Sequence, residues 1–357
     1  MFADFFFVFF SSLTALFLLR KFAKRIGLVD KPNARKHHQG SVPLVGGIAI
    51  CICLAQFLYY KPEILNDSGL FVFCITTLTI VGALDDKFDV DFKLRMLLQG
   101  ALSICMIYFA GLELHTLGDL FGFGPINLGV FGYLITVVAV IGAINAFNMV
   151  DGIDGLLGGL SIVTFGSLAL ILANEGQKNL AYILSIIIVA ILPYILLNLG
   201  AFGRRRKVFM GDAGSMLIGF TVIWMLLLAS QNGDKSPLRP VTALWLIAIP
   251  LMDMAAIMVR RIRRGDSPFK PDREHLHHIF QRFGLNSTQT LIVICSLASS
   301  LAGIGIMGEY LNISENIMFF GFVSLFFIYL YVLLNIWKVT SFIKRLNKNS
   351  TVQKTRE

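Results

Sequence analysis

Charge is scarce in this sequence: 15% of its 357 residues are Asp, Glu, Lys or Arg, against about a quarter in a soluble domain. With 56% hydrophobic residues and a mean hydropathy of +0.73, an ordinary soluble enzyme is excluded and a chain embedded in lipid is indicated. Cysteine is also sparse. Cys51, Cys53, Cys74, Cys105 and Cys295 all lie in apolar runs, without metal-ligand or disulfide spacing, and read as small core residues. There is no P-loop and no Gly-x-Gly-x-x-Gly after a strand, so a nucleotide would be held by loops and helix ends. The net charge of +9 could suggest nucleic acid, but in so apolar a chain it marks the loops on one side of a membrane. No nucleic-acid partner is expected. The N-terminal run MFADFFFVFFSSLTALFLLRK carries its cations after the apolar stretch and lacks a small-residue cleavage site, so it reads as a retained first span.

What is abundant is the long apolar run. A helix needs about 20 such residues to cross the hydrocarbon. Eleven candidates occur, near 2–19, 42–60, 69–84, 95–112, 127–145, 157–173, 179–198, 212–230, 240–258, 289–308 and 317–337. The fold class expected is all-α, a polytopic membrane helix bundle with about eleven spans. Of the 31 Lys and Arg residues, 27 fall in one alternate set of loops and the tail, and four in the other. This bias places the N-terminus in the periplasm and the C-terminus in the cytosol. The cytosolic loops are then 20–41, 85–95, 146–156, 199–211 and 259–288. Residues 1–337 form a single membrane domain, and 338–357 a basic tail suited to anionic headgroups.

The polar motifs share the cytosolic side, as do five of the six histidines. A carboxylate within the bilayer costs roughly 3 kcal/mol, so acids at the ends of spans invite a functional reading. In NMVDGIDGLLGG, Asn148, Asp151 and Asp154 recur every three residues and would stack along one stripe of a helical start. Gly152, Gly155 and Gly158 share the spacing and leave room for a close neighbour. The alternative is a helix N-terminus with acids favoured by its dipole. Asp85 and Asp86 follow an apolar span directly; adjacent carboxylates repel, which suits a general base or a metal-linked site as well as it suits a solvated loop. In KVFMGDAGS, Asp212 enters a span at its N-terminus, placed either to hold Mg²⁺ with open positions for phosphate or to cap the helix.

The run HLHH gives His275, His277 and His278, with His275 and His278 on one helical face of an amphipathic surface helix. Hydrogen bonding to a phosphate or sugar suits them better than zinc, since neither HExxH nor Cys partners are present. Asp253, in IPLMDM, lies seven residues before Arg260, about 10 Å into the membrane, and needs a buried partner. Arg35, Lys36, His37 and His38 in the first cytosolic loop fit ordinary positive-inside charge.

Taken in order, DKPNARKHHQGSVPLVGG (30–47), LDD (84–86), NAFNMVDGIDGL (145–156), KVFMGDAGS (207–215) and HLHH (275–278) resemble the polyprenyl-phosphate N-acetylhexosamine-1-phosphate transferases. The likeness extends from about residue 20 to residue 340. PDREHLHH, IPLMDM and the eleven spans resemble the bacterial branch that uses UDP-GlcNAc and undecaprenyl phosphate. The muramoyl-pentapeptide branch has ten spans and three consecutive histidines, and this sequence departs from both.

The resemblance implies transfer of GlcNAc-1-phosphate from UDP-GlcNAc to undecaprenyl phosphate, with release of UMP. In that branch the reaction starts enterobacterial common antigen and O-antigen synthesis at the inner membrane. It implies Asp212 as the principal Mg²⁺ ligand, or Mn²⁺ in its place, with Asn148 beside it. Asp85 and Asp86 would act on the lipid phosphate. Asp154 and Phe209 would hold uracil, with Asp151 in the same pocket, and His275, His277 and His278 would contact sugar or diphosphate. Lys36, His38, Arg95 and Lys207 complete the substrate-binding set. A direct displacement is expected; the rival is a phospho-aspartyl route through Asp86 or Asp151. GalNAc and MurNAc-pentapeptide donors are the alternative substrates. A transporter or flippase is the competing class, disfavoured because only Asp253 lies at depth. Inner-membrane lipid surrounds the chain, and a homodimer is an expectation that no residue pattern fixes.

Overall fold

The computed structural model describes residues 1–30, 40–231, 236–268 and 275–336. They form a helical bundle with one short hairpin. The N-terminal half comprises α1 (Phe2–Ile26), α2 (Gly46–Tyr60), α3 (Ser68–Phe88), α4 (Phe92–Ala110) and α5 (Phe131–Val150). It is followed by α6 (Leu156–Asn174), α7 (Lys178–Asn198) and α8 (Gly211–Ser230). The remaining helices are α9 (Pro240–Leu246), α10 (Ala248–Arg263), α11 (Leu276–Arg282), α12 (Ser287–Tyr310) and α13 (Glu315–Leu334). The hairpin pairs β1 (Val29–Asp30) with β2 (Val42–Pro43), antiparallel.

Every apolar run of the sequence has become helix. Among the described residues nine helices are long and apolar enough to cross a membrane, and α9 with α10 makes a tenth. The 15-residue α2 supplies the eleventh segment, about 22 Å long. The protein is a multi-pass membrane protein.

The run 240–258, expected as one span, is broken, and its halves meet at 83°. Pro250 explains the break. It has no N–H to donate to the Leu246 carbonyl four residues back, and its ring crowds that carbonyl. The freed Leu246 oxygen accepts instead from the Thr164 hydroxyl of α6, at 3.2 Å.

The axis of the bundle is α8. Of its membrane-spanning window 94% is buried, against 17% for α1 and for α13, which face outward. A helix apolar on all sides belongs in the interior. Its first turn lies backbone to backbone against two neighbours. A Cβ added at Gly47 would stand 2.2 Å from the Gly214 Cα, and one at Gly82 would stand 2.4 Å from the Ala213 Cα. The missing side chain at Gly82 brings the end of α3 onto the start of α8.

The end of the bundle that carries the basic loops gathers the starts of α2, α4, α6 and α8 and the ends of α3, α5 and α7. The opposite end is stapled by ion pairs. Asp4 accepts from Lys61 Nζ at 2.7 Å and from the Tyr182 hydroxyl at 2.5 Å, joining α1 to α7 and to the end of α2. Arg239, just before α9, contacts Glu309 Oε1 at 3.1 Å and donates to the Ile313 and Gly308 carbonyls at 2.6 and 2.7 Å.

Candidate active site

Asp85 and Asp86 occupy the last turn of α3, about 100° apart around the helix, and so face different neighbours. Asp85, 5% exposed, turns to α4. Its Oδ1 accepts the Val90 N–H at 2.8 Å, and its Oδ2 pairs with Arg95 Nη1. Asp86 turns to α8, where it accepts the Asp212 N–H at 2.9 Å and the Ala213 N–H at 3.4 Å. The first amides of a helix have no partner within it, and the helix dipole favours an anion there. Asp86 is therefore a helix cap delivered from another helix. The two carboxylates are separated by direction, each with its own positive partner.

The amides that Asp86 holds belong to the residues that open the site. Asp212 lies in the first turn of α8, where the sequence placed it. Its Oδ1 accepts from Asn148 Nδ2 at 2.6 Å, and the same amide group donates to the Ser215 hydroxyl at 2.8 Å. Arg95 Nη1 is 3.7 Å from Asp212 Oδ2. Asp85, Asp86, Arg95, Asn148 and Asp212, contributed by four helices, are thus one cluster. The side chain of Asp212 is 35% exposed, open to an incoming ligand.

A hard divalent cation suits this arrangement. Mg²⁺ takes oxygen ligands and is commonly held by one or two carboxylates, with substrate phosphates and water completing its shell. Asp212 with Asn148 and Ser215 offers such an open, oxygen-bearing set. Among the described residues no three His, Cys, Asp or Glu side chains converge as a metal cage, which does not suit a closed zinc site.

The stripe expected for Asn148, Asp151 and Asp154 does not form. Asn148 is in the last turn of α5, Asp151 caps its C-terminal end, and the chain turns through Asp154 before α6 begins at Leu156. Gly155 takes φ +77° to enter that helix, a conformation that a side chain would strain. Asn148 thereby faces Asp212, while Asp154 faces Lys207, with which it pairs. The Lys207 ammonium also lies 5.1 Å from the centre of the Phe209 ring. Val208 and Met210 are buried between them in alternation, which leaves Lys207 and Phe209 on the outer side with Asp154. Asn145, part of the same motif, turns away and donates to Gln99 of α4 at 3.1 Å.

Asn198 fixes this second cluster. Buried to 2% exposure, it accepts the Gly155 N–H at 2.6 Å and donates to the Val208 carbonyl at 2.8 Å. It joins the 151–155 turn to the Lys207–Phe209 segment. Sequence reasoning gave it no role; its one signal is an amide closing an apolar run. The first loop arrives at the same place. The Phe209 N–H donates to the Pro43 carbonyl at 2.9 Å, and the Gly46 N–H to the Phe209 carbonyl at 3.0 Å. Lys36 and His38 lie outside the described residues, as do residues 269–274 and the tail from 337.

The histidine run docks on the same turn. His275 is not on α11 but precedes it, so it does not share a helical face with His278. The His277 ring lies against Gly152, where an added Cβ would stand 2.1 Å from its Nε2. Burial, and then the neighbouring His278 and His275, hold the His277 pKa down to about 3, so the ring is neutral.

A multi-pass helical bundle whose carboxylates, amides and cations converge at one end, open to a soluble ligand, defines a membrane-embedded transferase. The model of Glycosyl transferase family 4 matches residues 68–230, the stretch that holds both clusters. An undecaprenyl-phosphate alpha-N-acetylglucosaminyl 1-phosphate transferase of Escherichia coli K12 is 52% identical over 93% of this chain and 91% of its own length. Proteins of the same name from Yersinia pestis and Haemophilus influenzae are 52% and 47% identical, over 96% and 97% of this chain and 94% and 97% of their own. The chain belongs to Glycosyl transferase family 4, among its undecaprenyl-phosphate alpha-N-acetylglucosaminyl 1-phosphate transferases.

Proposed function

We propose that this protein transfers GlcNAc-1-phosphate from UDP-GlcNAc to undecaprenyl phosphate, giving undecaprenyl-diphospho-GlcNAc and UMP, at the cytosolic face of a bacterial inner membrane. The observation that carries the reading is the meeting of Asp85, Asp86, Arg95, Asn148 and Asp212 at the basic end of the bundle, beside Asp154, Lys207 and Phe209. The names of the relatives support the substrates. The distribution of Lys and Arg, 27 against four, supports the cytosolic orientation.

Joining two anions requires alignment and charge neutralisation more than covalent chemistry by the protein. The lipid phosphate oxygen attacks the β-phosphorus of UDP-GlcNAc. The bond from that phosphorus to the bridging oxygen breaks, and UMP leaves with the oxygen. Asp212, with Asn148 and Ser215, would hold Mg²⁺ or Mn²⁺, which supplies positive charge to the phosphates. Arg95 brings a fixed cation to the same place and orients Asp85 toward the acceptor. Phe209 stacks on uracil, while Asp154 and Lys207 fix its edge and the adjacent phosphate. An apolar cleft of about 340 Å³ beside α5 runs from Phe147, next to Asn148, to Leu114, with Val241 and Met254 on its far wall. Its apolar lining suits part of a prenyl chain.

A single displacement fits better than a phospho-enzyme at Asp86, whose two oxygens are held by the α8 amides. The test is release of UMP by the purified protein given undecaprenyl phosphate and, in separate reactions, UDP-GlcNAc, UDP-GalNAc and UDP-MurNAc-pentapeptide. UMP with UDP-GlcNAc alone is expected. No UMP with any donor would overturn the reading and favour a transporter, and a trapped aspartyl adduct would overturn the single step.

A further inference from the structure

Asp253 is the carboxylate that the sequence leaves without a partner. In the structure it is 1% exposed on α10, just past the break at Ile247, and three donors from two other parts of the chain converge on it. Its Oδ2 is 2.9 Å from His275 Nδ1. Its Oδ1 accepts the Leu276 N–H at 3.1 Å and the Tyr329 hydroxyl of α13 at 2.6 Å. A carboxylate beside an imidazole nitrogen keeps the proton on that nitrogen and fixes both tautomer and ring orientation. Hydrogen bonds to a buried ionised group are among the stronger ones, and leaving one unmade is costly.

The consequence reaches the nucleotide cluster in two contacts. The His275 ring stands parallel to that of His277, 5.8 Å between centres and 2° between planes. His277, 2% exposed, presses on Gly152, one residue after Asp151 and two before Asp154. Holding residues 275 and 276 in place therefore holds His277 on the turn that presents both aspartates.

We propose that Asp253, with Tyr329, is a positioning residue for the sugar-nucleotide half of the site: it locks the entry to α11 so that His277 clamps the 151–155 turn. The proposal rests on the transferase reading given above. It predicts an asymmetry that general loss of structure would not produce, because the lipid-phosphate cluster of Asp85, Asp86 and Arg95 lies on other helices.

The experiment uses the full chain in lipid nanodiscs. In Asp253→Asn the KM for UDP-GlcNAc is expected to rise about tenfold and that for undecaprenyl phosphate to stay within twofold. Tyr329→Phe, which keeps the other two bonds, is expected to show a smaller shift of the same kind, about threefold. Hydrogen–deuterium exchange without substrate is expected to quicken at residues 275–283 in both variants. Unchanged exchange there, an equal rise in both KM values, or a loss of folded protein with unaltered kinetics would each overturn the proposal. Absence of UMP from the wild type would instead defeat the assigned reaction, and the exchange measurement would still decide whether the latch exists.

Discussion

Both ends of the bundle carry partly buried carboxylates, and they treat them in opposite ways. At the end away from the basic loops the two acids that tie helices together, Asp4 and Glu309, are matched, while Glu113 and Glu315 each keep one buried oxygen without a hydrogen bond among the described residues. Asp4 receives Lys61, Tyr182 and the N-terminal amine, and Glu309 receives Arg239 and Thr242. At the basic end, Asp85, Asp86 and Asp212 stand together, and among the described residues one guanidinium, that of Arg95, reaches two of them. Asp86 meets, among the described residues, the Asp212 and Ala213 peptide dipoles and no guanidinium or ammonium group. A saturated network holds helices together and asks for nothing further. An unsaturated one keeps like charges close, against their repulsion, and is completed when a cation and its anionic partner arrive.

The sharpest break in that comparison is at Asp212. Asp212→Asn is expected to abolish turnover, by roughly a thousandfold or more, since it removes the exposed carboxylate of the open cluster. The loss should persist at any Mg²⁺ concentration when UMP release is followed. Activity near the wild-type level would mean that the surplus charge has no bearing on the reaction.

Asp85→Asn comes next, with kcat expected to fall about a hundredfold. The variant still binds UDP-GlcNAc, because the Asp154–Lys207–Phe209 cluster is built from other segments. Calorimetric titration with UDP-GlcNAc separates the two effects. An unchanged kcat would remove Asp85 from the chemistry.

The saturated end should answer differently. Arg239→Gln leaves Glu309, whose side chain is 12% exposed, without its cation, and about 2 kcal/mol of stability is expected to go with it. The Tm in nanodiscs should drop, while the kcat of the protein that remains folded stays within twofold of wild type. A large fall in kcat with an unmoved Tm would erase the distinction between the two ends.

The distinction was only partly legible in the sequence. Apolar runs show themselves in windows of about 20 residues, and where charge is scarce each Asp near a span stands out. That is why Asp85, Asp86, Asp151, Asp154 and Asp212 could be picked out before any fold was known. Which partner each one takes is a matter of contacts between remote segments. Gly155 meets Asn198 across 43 residues, and Asp253 meets Tyr329 across 76. No local pattern carries that information. The reading of Asn148, Asp151 and Asp154 as a helical stripe failed for a related reason: spacing of three suits a helix, but α5 stops at Val150 and the αL residue Gly155 opens a new one. Pro250 was visible; the 83° break it produces depends on Thr164 waiting across the bundle for the freed carbonyl.

The smallest expected effect concerns His277, which binds the 151–155 turn without carrying charge. Its pKa in the fold is held to about 3, against 6.5 for the free side chain. The unfolded chain therefore takes up a proton at this position that the folded chain refuses. The contribution of His277 to stability is complete above pH 6.5 and is lost progressively as the pH falls from 6.5 toward 3. One pH unit below 6.5 the cost is about 1.4 kcal/mol. Measured as Tm against pH, wild type and His277→Gln should differ most at neutral pH and converge on acidification, because glutamine has no proton to gain. Parallel curves would show that the ring is not buried as a neutral base against Gly152, and the clamp on the turn would have to be sought in His278 instead.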